Sequence, residues 1–109
     1  MPVSTVPPEL IKAYRQSAPD KMESLDRLWR QAVIDGWQGP SVAQLDALVH
    51  RIAGSGGSYG FPDLSAAAKH LELMIKDSDT AVNDSDALAA AFEALREALT
   101  DVAQATAGD

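Results

Sequence analysis

The chain has 109 residues, 46% of them hydrophobic and 23% charged, a composition that fits one globular domain and argues against disorder or a second domain. Sixteen acidic residues against nine basic ones leave a net charge of -7, a field that repels phosphate backbones and argues against nucleic-acid binding. No apolar run approaches the ~18 residues of a membrane span, no basic start followed by an apolar stretch marks a secretory leader, and the absence of cysteine removes disulfides, thiolate metal sites and thiol nucleophiles; a cytoplasmic location is expected.

The periodicity is helical throughout, and no stretch alternates as a strand would. A short first helix is expected over residues 8–17, with Pro8 in its first turn, Leu10, Ile11 and Tyr14 on one side, and Pro19 closing it. The second, over 19–35, has Met22, Leu25, Trp29, Ala32 and Val33 as its apolar stripe and Gly36 as a left-handed stop. Ser41 and Gln44 read as a capping box, which starts the third helix near Val42 and lets it run to about 58 with Leu45, Leu48, Val49 and Ile52 buried. The fourth, over 62–77, begins at Pro62-Asp63, carries Leu64, Ala67, Ala68, Leu71, Met74 and Ile75, and stops at Asp77-Ser78-Asp79. Asn83-Asp84-Ser85 caps the fifth, over 84–105, with Leu88, Phe92, Leu95, Leu99 and Val102 at steps of 3 and 4. Long amphipathic helices on short turns pack as an antiparallel up-down four-helix bundle. An all-α single domain over 1–109 is therefore expected, with the short first helix capping one end.

One helix breaks the rules that the others obey. Running the third helix to 58 places Gly54, Gly56 and Gly57 inside it, each costing up to ~1 kcal/mol relative to Ala. Violations of that size mark a tight packing contact or a functional site. At about 100° per residue from Leu45, Gly56 returns to the buried side at about 20°, which reads as close approach of a neighbouring helix. His50 lies at about 140°, with Gly57 at about 120° and Gly54 at about 180°. The positions three, four and seven after it are Ala53, Gly54 and Gly57, none larger than a methyl. The imidazole stands in a clearing, as a nucleophilic ring nitrogen requires if a broad protein surface must reach it.

These residues carry a resemblance. His50-Arg51-Ile52-Ala53-Gly54-Ser55-Gly56-Gly57-Ser58-Tyr59-Gly60-Phe61, followed by Leu64 and Leu71-Glu72, resembles the histidine-containing phosphotransfer (HPt) domain of two-component phosphorelays. The resemblance implies that His50 accepts the phosphoryl group, that Gly54 keeps the space open, and that Glu72, twenty-two places on, hydrogen-bonds imidazole Nδ1 from the next helix. It places Lys69 near the same site, and it makes Arg51, Ala53, Gly54, Gly57 and Lys69 the surface through which a partner reaches His50. Many family members carry Lys where this chain has Ala53, and Arg51, about 100° round the helix, is a poor substitute for that charge.

Free imidazole, with a pKa near ~6.5, has enough neutral form at pH 7 to attack through an unprotonated nitrogen. A carboxylate on the Nδ1 proton would fix the tautomer and leave Nε2 as nucleophile. The glycine run lacks the Gly-Lys-Ser/Thr ending of a phosphate-binding loop. The implied activity is that of a carrier, with no kinase or phosphatase activity, no cofactor and no metal of its own. The implied partners are response-regulator receiver domains, which bring Mg²⁺ and the aspartyl phosphate, and a sensor histidine kinase; a monomer is expected. Three alternatives stand beside this: a degenerate module that binds receivers without taking phosphate, a metal-carboxylate bundle, and a plain structural bundle. His70-x-Glu72 has the wrong spacing for the second, and the third leaves the glycines beside His50 unexplained. His70 reads as a surface residue, Trp29 and Phe92 as core, and Trp37 as either exposed or an end cap. Asp77, Asp79, Asp84 and Asp86 read as a solvated, helix-capping turn that lacks the order of a calcium loop.

Overall fold

Four of the helices carry a proline in their first turn. Proline's fixed φ suits the first turn, where its missing N–H costs nothing. The computed structural model describes residues 6–77 and 84–104. Pro8 opens α1 (Pro8–Gln16), Pro19 stands in the first turn of α2 (Ala18–Ile34), Pro40 opens α3 (Pro40–Ser58) and Pro62 opens α4 (Pro62–Lys76). α5 (Ser85–Gln104) starts instead on an aspartate cap, the Ala87 amide donating to Asp84 Oδ1 at 3.1 Å. Asn83 of the expected cap, Ser78 and Asp79 of the expected stop, and residue 105 lie outside the described residues.

α2 to α5 form a ring in which each helix flanks two others, and α1 leans on α2 and α5. The pairing is antiparallel. Between α3 and α4, Ala53 meets Ser65 and His50 meets Glu72; between α2 and α5, Asp26 meets Arg96 and Trp29 meets Phe92. In both pairs, one residue number rises as the other falls. The core is aliphatic: Leu25, Leu45, Val49, Ile52, Leu64, Leu71, Leu88, Leu95 and Leu99 are fully buried. Arg96 joins α5 to α2 with a fork on Asp26, Nε to Oδ1 at 2.9 Å and a second guanidinium N–H to Oδ2 at 3.2 Å, the two-pronged geometry that fixes register.

Two turns end as Schellman motifs. At the end of α2 the Trp37 amide donates to Ala32 O and the Gly36 amide to Val33 O, with Gly36 at φ +67°. At the end of α3 the Phe61 amide donates to Gly56 O at 2.7 Å and the Gly60 amide to Gly57 O, with Gly60 at φ +86°. Both glycines occupy the left-handed position that closes a helix. The Gly-Phe pair thereby turns the chain from α3 into α4. Tyr14 of α1 covers that turn: it stacks on Tyr59 at 4.4 Å and Phe61 at 5.8 Å, and its hydroxyl shares a 2.7 Å hydrogen bond with Ser55 Oγ. Trp37 is half-buried and meets Trp29 edge-on at 5.0 Å, so it caps the opposite end.

Several expectations are corrected. Ser41 does not cap α3: the helix starts at Pro40 after Gly39, two residues before Val42, and Ser41 Oγ donates to Asp35 Oδ2 at 2.9 Å, tying α2 to α3. Proline at the first position outweighs the Ser-x-x-Gln pattern. Val33 is 53% exposed and Leu28 is buried in its place, because the stripe of α2 follows Leu25, Leu28 and Ala32. Leu10 is 48% exposed, and Tyr14 is the residue of α1 that is buried.

Candidate functional site

α3 runs unbroken through Gly54, Gly56 and Gly57 to Ser58, and each glycine meets a different environment. A Cβ at Gly56 would lie 3.1 Å from the Ser65 amide nitrogen and 3.3 Å from Leu64 Cγ, so a side chain there would press on the backbone of α4. Ser65 holds that approach by donating from Oγ to Ala53 O at 2.6 Å. A Cβ at Gly57 would touch Ser65 Oγ at 3.4 Å, an ordinary contact, and one at Gly54 would meet nothing within 4 Å. Gly56 therefore serves packing, whereas Gly54 lies open on the surface one turn beyond His50.

The His50 side chain is 71% exposed, and its Nδ1 lies 2.6 Å from Glu72 Oε2 on α4. Glu72 itself is only 10% exposed in its side chain. Burial alone raises its pKa, but hydrogen bonds and charge from His50 and Lys76 outweigh that and hold it below its ordinary value of 4.5. A carboxylate accepts and cannot donate, so Nδ1 carries the proton and Nε2 is the unprotonated nitrogen of the neutral ring. The same Oε2 accepts from Lys76 Nζ at 3.2 Å. One buried oxygen thus holds both the imidazole and an ammonium.

The remaining expected residues divide. Lys69 stands exposed on α4 three places before Glu72. Arg51 is exposed and lines a shallow groove with Arg27, Leu28, Gln44 and Leu48 on the α2 side, away from Glu72. Ala53 leaves the surface set. It is 7% exposed and packs in the core, because its direction on α3 falls toward α4 rather than toward solvent. His70 is exposed on α4, as expected of a surface residue. Two residues escaped the sequence reading. Lys76 was legible only as Glu-x-x-x-Lys, a common surface pair, until Glu72 is known to be buried. Asp46, one turn before His50, has its Oδ1 buried without a hydrogen-bond partner, and no sequence pattern signals that. Of the acidic turn, Asp84 caps α5 while Asp79 lies outside the described residues.

The site offers an exposed imidazole whose Nδ1 is held by a buried carboxylate, with bare backbone beside it. No group of three or more His, Cys, Asp or Glu side chains that could hold a metal ion occurs among the described residues. No described helix is long and apolar enough to cross a membrane. No curated protein and no solved structure matches the chain. A family model does: it is described as the Hpt domain, and it matches residues 9–105, from the first turn of α1 past the end of α5. Matched over nearly its whole length, the chain belongs to the Hpt domain family.

Proposed function

We propose that His50 accepts a phosphoryl group on Nε2 from the aspartyl phosphate of a response-regulator receiver domain and passes it on by the reverse step. Hpt domains are phosphocarrier modules of two-component signalling rather than kinases, and the reading applies that role to one atom of this chain. The observation that carries it is the 2.6 Å contact between Nδ1 of a largely exposed imidazole and a buried carboxylate.

The Nε2 lone pair attacks phosphorus. The P–O bond to the receiver's aspartate breaks and its electron pair leaves with that carboxylate, while the N–P bond forms. The Nδ1 proton stays where it is, and the positive charge that grows on the ring faces Glu72, whose lowered pKa keeps it ionised to receive that charge. Phosphoryl transfer rests on positioning and charge neutralisation. Here the chain supplies the position, and the receiver supplies Mg²⁺ and the activated phosphate. Gly54, Gly57 and Lys69 make the surface on which the receiver sits, with Arg51 at its far edge on the α2 side, and Lys69 and Lys76 provide cationic charge on α4 that Ala53 does not provide on α3.

Transfer of radiolabel from a phosphorylated receiver domain to the wild-type chain, compared with His50→Gln, tests the assignment. Label on the wild type and none on the variant is expected. Label on both refutes His50 as acceptor, and binding without label on either favours a module that recognises receivers without relaying phosphate.

A further inference from the structure

A second surface lies between α4 and α5, beside the α3–α4 turn. It is a groove of about 400 Å³, within the ~300–1,000 Å³ range of ligand and side-chain pockets. Leu64 and Val102 are buried in its base, with Phe61, Ala67 and Ala98 half-buried beside them. Its rim carries Asp63, Glu97 and Asp101, all exposed. The ion pairs among the described residues join Glu72 to His50 and Lys76, and Arg96 to Asp26 and Glu93, so these three carboxylates have no cation. No lysine or arginine lines the groove.

We propose that this groove docks a cationic amphipathic helix of another protein, with lysine or arginine on its edges and aliphatic side chains on its face. The apolar base with small Ala67, Ala94 and Ala98 lets a helix backbone come close, as in helix-in-groove recognition. The rim fixes the sign of the partner's charge. A second copy of this chain brings the same net charge of -7 and is repelled. Residues 1–5 contain no lysine or arginine, and 105–109 carry only an aspartate as a charged side chain, so neither segment complements the rim. On α4, Ala67 and Glu72 are five residues apart, which puts them about 140° apart around the helix. The groove and His50 therefore face different ways, and a docked helix leaves the phosphoryl site open. The groove is a tether, independent of whether His50 carries phosphate.

The probe is a fluorescein-labelled Leu/Lys amphipathic peptide of about four helical turns, titrated with the protein at low salt and followed by anisotropy. Three exposed charges at the rim should together be worth about ten-fold in affinity. Saturable binding to the wild type is expected, weakened about ten-fold in Asp63→Asn/Glu97→Gln/Asp101→Asn, with amide shift changes in ¹⁵N spectra centred on Ala67, Ala94, Ala98 and Val102. Ala94→Leu, which fills the groove and keeps all three rim carboxylates, should weaken binding as well. Equal affinity of the rim variant, or equal affinity of a scrambled Leu/Lys peptide with the same charge, overturns the proposal. Melting curves confirm that each variant is folded.

Discussion

A leucine at position 54 should make the protein more stable and a worse phosphoryl carrier. Gly54 sits inside α3, and a Cβ built on it meets nothing within 4 Å, so the substitution recovers helix propensity at no packing cost. Leucine is worth ~0.8 kcal/mol over glycine in a helix interior, about 3–6 °C in the melting temperature of a domain near this size. Helical side chains lean toward the N-terminus. The new isobutyl group therefore lies over the turn that holds His50, between the imidazole and an approaching protein surface. Forcing such bulk into a packed contact costs about 1–3 kcal/mol, or roughly 5- to 150-fold in the second-order transfer rate. Gly56→Ala is the control: its Cβ would press on the Ser65 backbone at 3.1 Å, so overpacking of ~1–3 kcal/mol opposes a propensity gain of ~1 kcal/mol, and the melting temperature should fall or stay level. Thermal melts and rapid-quench transfer from a phosphorylated receiver read both quantities. If Gly54→Leu relays phosphate at the wild-type rate, the bare backbone beside His50 has no part in docking.

Glu72→Gln should slow transfer without abolishing it, since the ring keeps its nucleophile but loses its charged partner. It should also flatten the acid limb of stability: the lowered pKa of Glu72 stabilises the fold above the ordinary carboxylate value, and that stability is lost as pH falls through the lowered folded value. Denaturant melts from neutral to acid pH check this, and an unchanged acid limb contradicts it. Lys76→Gln removes one of the two partners of Glu72 Oε2. It should cost about 0.3–0.5 kcal/mol at pH 7 as an i,i+4 pair and move the acid limb to higher pH; equal limbs would mean that Lys76 is a solvated lysine.

The order and faces of the helices were readable because amphipathic spacing decides them. In α5, Leu88, Phe92, Leu95, Leu99 and Val102 recur at steps that allow one burial side, and all five are buried. The site was readable for the opposite reason, since glycines in a helix interior oppose local preference and so announce a tertiary demand. What stayed hidden depends on register between helices. Ala53 fits a surface or a core equally well because it is small. Lys76 looks like half of any exposed i,i+4 pair until α3 covers the carboxylate of Glu72. The capping pattern at Ser41 failed because two start signals lay within two residues of each other, and Gly39-Pro40 prevailed.

The site of the N–P bond tests the central claim most directly. ³¹P and ¹⁵N spectra of the phosphorylated chain, recorded on protein labelled at histidine, distinguish the two ring nitrogens of His50 and separate them from His70. Phosphate on Nε2 of His50, with Nδ1 still protonated against Glu72, is the expected result. Phosphate on Nδ1, or on His70, would contradict the geometry from which the function is derived.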